Sequence, residues 1–103
     1  RVRTLGDEQG EVDYLELPQN HRLIELDVAR SIEGLTVAQA ALRSRYGVSV
    51  LAVKRLGKDG VERRFVPAPS DRFEHGDVLV LLGSEDAIAR FQEDRAQPVA
   101  AGP

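Results

Sequence analysis

Alternating apolar and polar residues mark a first β-strand early in the chain. Between residues 23 and 28, the aliphatic side chains of Ile24, Leu26 and Val28 alternate with acidic ones. Because successive side chains of a strand point to opposite faces, this pattern predicts a half-buried strand with its aliphatic face toward the core.

Two other segments, residues 50–53 and 78–82, are apolar at every position. Such segments predict strands that are covered on both faces, and we expect residues 50–53 to form the central strand. Residues 57–60 contain an Asp-Gly pair, which is typical of a hairpin turn. The return strand, residues 61–66, is rich in charged residues and is expected at an edge or in an exposed position.

Helical spacing and capping signals predict two helices. Thr36 and Gln39 fit a capping box for a helix that runs from Val37 to about Tyr46 and ends at Gly47. Ser84 is a suitable N-cap for a final helix. The expected apolar side of this final helix consists of Ala87, Ile88 and Phe91.

The resulting order, strand-helix-strand-strand-strand-helix, predicts an α+β domain with a mainly antiparallel sheet. We expect this domain to span residues 21–95, after a lead-in segment of residues 1–20. Within the lead-in, residues 11–17 can form a short strand or one helical turn. Residues 96–103 are small and aperiodic and predict a disordered tail. The absence of methionine from the whole chain predicts a piece of a longer or processed protein.

Charge and composition narrow the classes of partner. The 103 residues include 14 Lys+Arg against 17 Asp+Glu, a net charge of −3. This balance argues against a nucleic-acid partner held by phosphate contacts, but it permits a small anionic ligand held by a few arginines. Absence of cysteine excludes disulfides, thiol catalysis and thiolate metal sites. The longest apolar run, residues 78–82, is far shorter than the roughly 20 residues that a membrane-spanning helix needs.

Catalytic and metal-binding patterns are weak in this sequence, and no enzyme activity is predicted. His21 and His75 both fall in expected turns, without the spacing of further ligands that a metal site requires. No glycine pattern typical of a nucleotide-binding loop is present. Glu85 and Asp86 suit the first turn of a helix better than a pair of catalytic carboxylates.

Arginines are the stronger candidates for ligand binding, because guanidinium groups bind phosphates well. Many surface arginines are nevertheless solvated or loosely paired, so this alternative stays open. Arg55 is favoured because a rigid apolar strand leads into it. The arginines expected to lie close together are Arg43, Arg45, Arg55, Arg63, Arg64 and Arg72.

Residues from Asp13 to about Glu93 resemble the C-terminal domain of RCK proteins, also called the TrkA-C domain. The first block, Asp13-Tyr14-Leu15-Glu16-Leu17, is most similar to the KtrA-type and TrkA-type regulatory subunits of potassium transport. The other matching blocks are Leu23-Ile24-Glu25-Leu26, Leu42-Arg43, Tyr46-Gly47-Val48, Val50-Leu51-Ala52-Val53-Lys54-Arg55, Pro67 and Phe73-x-x-Gly76-Asp77-x-Leu79-x-Leu81-x-Gly83.

This resemblance implies a non-enzymatic cytoplasmic module that forms a homodimer and binds a small regulatory ligand, cyclic di-adenosine monophosphate (cyclic di-AMP), at the two-fold interface. It implies no other cofactor. Implied partners are an RCK N-terminal nucleotide-binding lobe and a membrane cation channel or transporter, either as a separate subunit or as a fused transmembrane domain, which would hold the module at the inner membrane. The implied ligand-binding residues are Val50, Leu51 and Arg55, and Arg72 is added as a nearby cation. An alternative is a ligand-free dimerisation module of a larger channel or antiporter.

Overall fold

The structure is a computed structural model that describes residues 17–96. Four antiparallel strands form one sheet in the order β1-β4-β2-β3, where β1 is His21–Asp27, β2 is Ser49–Leu56, β3 is Glu62–Phe65 and β4 is Val78–Ser84. The helices are α1 (Val37–Ala40), α2 (Leu42–Tyr46) and α3 (Glu85–Ala96), with a 3₁₀ turn at Arg30–Ile32. The α+β prediction and its element order are confirmed. Expectations for residues 1–16 and 97–103 lie outside the described residues.

Burial along β4 alternates, which differs from the prediction of a strand covered on both faces. Leu79 and Leu81 are fully buried and join the core with Ile88 and Phe91 of α3. The alternate positions of β4, such as Val80, are only half-buried. The helices therefore cover one face of the sheet. The apolar residues on its other face are only partly covered within a single chain.

The capping box at the start of α1 is present as predicted. The Thr36 hydroxyl accepts a hydrogen bond from the Gln39 backbone N–H (3.0 Å), and the Gln39 side-chain oxygen accepts one from the Thr36 N–H (2.9 Å). The predicted continuous helix is nevertheless divided at Ala41, whose φ of 50° lies in the left-handed region. Gly47 ends α2 with a φ of 82°, in agreement with its predicted role.

The hairpin turn after β2 and the cap of α3 are formed as predicted from the sequence. In the hairpin, the Gly57 N–H donates to the carbonyl of Val61 (2.9 Å), and β3 lies at the edge of the sheet. The Ser84 hydroxyl accepts from the Ala87 N–H (3.0 Å) and caps α3. Ala87, Ile88 and Phe91 are all buried, as expected for the apolar side of this helix.

Candidate functional site

An open groove with a volume of about 750 Å³ lies between the α1–α2 segment and the start of β2. Val48 is fully buried beneath it, and Val50 is half-buried. The groove is lined by Val37, Ala38, Ala41, Leu42, Arg43, Ser44, Val48, Ser49, Val50 and Pro69. Most of these side chains are aliphatic, so the groove offers an apolar surface of a size suited to a small organic ligand.

Backbone hydrogen bonds hold the wall of the groove in place. At the start of α1, the Val37 N–H donates to the carbonyl of Asp71 (2.9 Å) and the Ala38 N–H donates to that of Pro69 (3.0 Å). These N–H groups belong to the first turn of a helix and have no partner within it. The loop that carries Pro69 thereby satisfies them, and it is fixed against α1.

The polar part of the groove consists of one guanidinium and two hydroxyls. Arg43 is the charged residue among the lining side chains, and no carboxylate accompanies it there. Ser44 donates its hydroxyl to the carbonyl of Ala41 (3.2 Å). With an apolar floor and a cation at its rim, the groove is chemically suited to an anion that carries a flat or apolar group.

Arg55 lies in a different part of the molecule and is engaged by neighbours. Its Nε and Nη2 donate to the two carboxylate oxygens of the buried Asp77, each at 2.8 Å. Nη1 lies 3.1 Å from the Glu74 carboxylate, and the guanidinium lies 4.9 Å from the centre of the Phe65 ring. The hydrogen bond to Asp77 raises the pKa of Arg55 above its ordinary value. Arg55 therefore remains cationic and joins β2 to the turn before β4.

Arg72 belongs to the same cluster as Arg55. Its carbonyl accepts from Nη2 of Arg55 (3.0 Å), and its own Nη1 donates to the carbonyl of Gly34 (2.7 Å). Both guanidinium groups thus make contacts within the chain that hold loops together.

The four sequence-predicted site residues fall into two places. Val50 lines the groove, and Leu51 follows it at a β-bulge with 39% of its surface exposed. Arg55 and Arg72 are together at the other end of β2. Arg55 lies five positions further along the strand than Val50, a distance of about 16 Å. Within one chain the structure does not unite the apolar pair with the arginine pair.

The groove also contains residues that the sequence did not single out as a site. Arg43 was one of several candidate arginines, and its position on α2, just before the predicted helix end at Gly47 and the apolar strand, is the signal that could have distinguished it. Pro69 and Ala41 gave no such signal, because their roles depend on a loop path and on one unusual backbone angle.

The part of the chain that the structure describes has neither a cluster of metal ligands nor a helix able to cross a membrane. His75 is highly exposed and its Nδ1 lies 3.0 Å from a carboxylate oxygen of Glu33. Between residues 17 and 96, histidine and acidic side chains form no cluster of three or more that could hold a metal ion. No helix in this described part has the length and apolar character needed to cross a membrane.

A protein family and two curated relatives match most of this chain. The model of the TrkA-C domain matches residues 21–94. Ktr system potassium uptake protein C of Bacillus subtilis (strain 168) is 32% identical over 82 residues, which is 80% of this chain and 35% of the relative. Protein A of the same system is 28% identical over 93 residues, 90% of this chain and 40% of the relative. The chain thus spans little more than a third of the length of these relatives.

Among solved structures, the RCK C domain of the potassium transport protein KtrA, in complex with cyclic di-AMP, superimposes with a TM-score of 0.62. It is 28% identical in sequence, and the match covers 72% of this chain and 82% of the KtrA domain. The similarity therefore extends over most of both domains.

Proposed function

The chain belongs to the TrkA-C family, the C-terminal domain of RCK proteins, and we propose that it senses a ligand for a bacterial potassium or other monovalent cation transport system. In this proposal the domain has no catalytic role. It works as a homodimer that binds a small anionic ligand, cyclic di-AMP, at the two-fold interface. Ligand binding favours one arrangement of the two copies and so biases an attached partner.

The observation that carries this proposal is the similarity to the KtrA domain that was solved with cyclic di-AMP. The partners follow from the same relatives. We propose an RCK N-terminal nucleotide-binding lobe and a membrane channel or transporter, separate or fused, with the domain on the cytoplasmic side of the membrane.

The chemistry of the groove supports a dinucleotide ligand. Its aliphatic lining, which includes Val50, suits the flat face of an adenine ring, and Leu51, the next residue of the strand, is 39% exposed. A ligand with two-fold symmetry fits a site made by two identical copies of the chain. We propose that Val50 and Leu51 contact the bases.

The predicted role of Arg55 and Arg72 in ligand binding stays a prediction. Because they lie about 16 Å along the strand from Val50, their contribution requires that the partner copy brings them to the ligand. The alternative is that they act within the chain, where they already hold Asp77 and Gly34.

Calorimetry of the chain with cyclic di-AMP tests the proposal directly. We expect saturable heat from the wild type, and at least about tenfold weaker binding by Leu51→Glu, which places a carboxylate against the ligand. Leu56→Glu is the matched control, because Leu56 lies on the same strand, away from the groove, and is 69% exposed. Absence of heat from the wild type, at concentrations well above those that saturate a KtrA domain, would refute the sensing proposal.

A second candidate function is a ligand-free dimerisation module of a larger channel or antiporter. The internal engagement of Arg55 and Arg72 favours this reading, because it explains both arginines without a ligand. It predicts a dimer by sedimentation whose thermal stability no nucleotide changes, since a ligand of the native state must raise that stability.

A further inference from the structure

We propose that Arg43 supplies the cation that binds the ligand's phosphate in the groove. This inference rests on the proposed function, and it assigns a residue that the sequence comparison with ligand-binding relatives did not indicate. Three features of the molecule support it: the charge of the groove, the contacts that the other arginines make within the chain, and the position of Arg43 on α2.

The charge of the groove differs from that of the chain. The whole chain has a net charge of −3, whereas the groove lining contains a single guanidinium and no carboxylate. A phosphate that enters this groove therefore meets a cation, and no carboxylate of the lining repels it. Ser49 places a hydroxyl group on the same lining, and a hydroxyl can donate a hydrogen bond to a phosphate oxygen.

The arginines of the Arg55 cluster are poor sources of this cation. Turning Arg55 toward a ligand would leave the fully buried carboxylate of Asp77 without its charged partner, which is strongly unfavourable. Arg72 would likewise have to give up its hydrogen bond to Gly34. Arg45, next to the groove, also has a partner within the chain. It stacks on Tyr46 and donates to its hydroxyl (3.2 Å), so binding a ligand would cost it these contacts.

Arg43, in contrast, keeps its side chain available on a fixed backbone. Its carbonyl accepts from the Gly47 N–H (2.9 Å), the bond that closes α2. Among residues 17–96 its exposed guanidinium makes no hydrogen bond or ion pair. A ligand phosphate can therefore bind Arg43 without breaking a contact of the described fold, which makes Arg43 less costly to use than Arg45, Arg55 or Arg72.

The test compares two neighbouring arginines of α2 by calorimetry with cyclic di-AMP. We expect Arg43→Gln to weaken binding at least about tenfold, the effect of a lost charge-assisted contact. Arg45→Gln removes the same charge from the same helix outside the groove lining, and we expect it to bind within about twofold of the wild type. Arg43→Lys, which keeps the charge but not the fork of donors, should fall between them.

Salt dependence gives a second readout that a merely structural role would not change. The affinity of the wild type should fall with increasing salt, and Arg43→Gln should reduce this slope whereas Arg45→Gln should not. Binding of adenosine, which lacks the phosphate, should be the same in Arg43→Gln and the wild type.

The outcomes separate this inference from the function on which it rests. If the wild type binds cyclic di-AMP and Arg43→Gln binds equally well, the assignment of Arg43 is wrong and the sensing function stands. If the wild type does not bind, both are wrong. A loss of adenosine binding in Arg43→Gln would also overturn the assignment, because it would show a damaged groove rather than a missing phosphate contact.

Discussion

At the scale of single residues, the carboxylate of Asp77 organises the turn that precedes β4. Asp77 is fully buried, and besides Arg55 it accepts a hydrogen bond from the Glu74 backbone N–H (2.8 Å). Its own carbonyl accepts from Val28 N–H (2.8 Å), just after β1. The side chain of Asp77 thus connects β2 to the turn, and its backbone carbonyl adds the end of β1. A buried charge of this kind is tolerated because donors surround it.

Removing the cation from this pair should destabilise the domain strongly. We expect Arg55→Gln to lower the free energy of unfolding by about 3 kcal/mol, because an unpaired carboxylate then remains buried. The double variant Arg55→Gln/Asp77→Asn should be less destabilised than the sum of the two single variants. Urea unfolding of the four proteins measures this coupling. Additive losses would contradict the structural role given to Arg55.

Ala41 carries the one backbone conformation in the groove that an alanine rarely adopts. A left-handed φ costs a non-glycine residue about 1–2 kcal/mol, whereas glycine adopts it freely. We therefore expect Ala41→Gly to change the free energy of unfolding by less than about 0.5 kcal/mol or to raise it. Ala40→Gly, at a buried and ordinary helical position, should lower it by about 1 kcal/mol or more. Chemical denaturation compares the two, and an equal loss in both would show that Ala41 is not strained.

At the scale of elements, α2 and α3 are joined through Tyr46. Its ring contacts that of Phe91 edge to face, with centroids 5.2 Å apart, and its hydroxyl donates to the carboxylate of Asp94. Burial raises the pKa of the Tyr46 hydroxyl above 10.0, and the hydrogen bond to Asp94 raises it further. The folded state therefore holds this proton more tightly than the unfolded state does.

This pKa shift predicts a loss of stability in alkali. The pKa of Tyr46 is higher in the folded state than in the unfolded state. The stabilisation that comes from its bound proton is therefore complete below the ordinary pKa of 10.0, and it is lost as the pH rises through the raised value. Tyr46→Phe should lower the free energy of unfolding by about 1 kcal/mol at neutral pH. The variant should then lose less stability than the wild type between about pH 9 and pH 11. Urea titrations across this range measure both effects. If the free energies of unfolding of the wild type and Tyr46→Phe fall in parallel with pH, Tyr46 is not the source of the loss in alkali.

The contact between β4, the start of β2 and α3 depends on Gly83. A Cβ atom at this position would lie 2.8 Å from Cγ1 of Val48 and 3.5 Å from Cγ1 of Ile88. We expect Gly83→Ala to lower the free energy of unfolding by about 1–3 kcal/mol through this overlap. Val48→Ala removes the closest atom, so the double variant should be more stable than additivity predicts, by about 1 kcal/mol. Thermal unfolding of the three variants tests this pairing, and additive losses would contradict it.

Local signals explain why most elements were predictable. Thr36 and Gln39 have the residue types and spacing of a capping box, which marks a helix start, and the Asp-Gly pair after β2 favours a hairpin turn. The start of α1 and the turn after β2 could therefore be predicted from residue type. The break at Ala41 had no such signal, since alanine favours helix interiors. The bulge after Val50 arises from pairing with β4 and was equally absent from the local pattern.

The candidate site was less predictable than the fold because it depends on distances between elements. The family resemblance implies Val50, and Val50 lines the groove. The rigid strand before Arg55 favours it as a ligand contact, but no local pattern indicates that Asp77, 22 positions away, engages its guanidinium. Arg43 was one of six candidate arginines, and the fold distinguishes it by placing it on the groove.

At the scale of the whole molecule, the sheet presents a half-buried apolar face. Residues 50–53 and 78–82 carry more apolar side chains than one layer of helices covers, and Leu51 remains 39% exposed. In the proposed function, a second copy of the chain covers this surface. A ligand bound between two copies then becomes linked to their association.

That linkage gives the last prediction, which concerns protein concentration. If two copies form the site, cyclic di-AMP should shift a monomer–dimer equilibrium toward the dimer in sedimentation, and ligand affinity should weaken when the chain is diluted below its dimer dissociation constant. Ligand at about 100 times its dissociation constant should also raise the free energy of unfolding by about 2.7 kcal/mol. For a domain of this size that is a rise of at least about 10 °C in melting temperature.

At the same ligand concentration, Leu51→Glu should reduce the ligand-induced rise in melting temperature to about half or less, because it binds at least about tenfold more weakly, and Leu56→Glu should retain the full rise. Affinity that is independent of chain concentration would instead locate a complete site within one copy. Only a dimer presents a second groove to the same ligand, so dilution separates the two arrangements without any substitution.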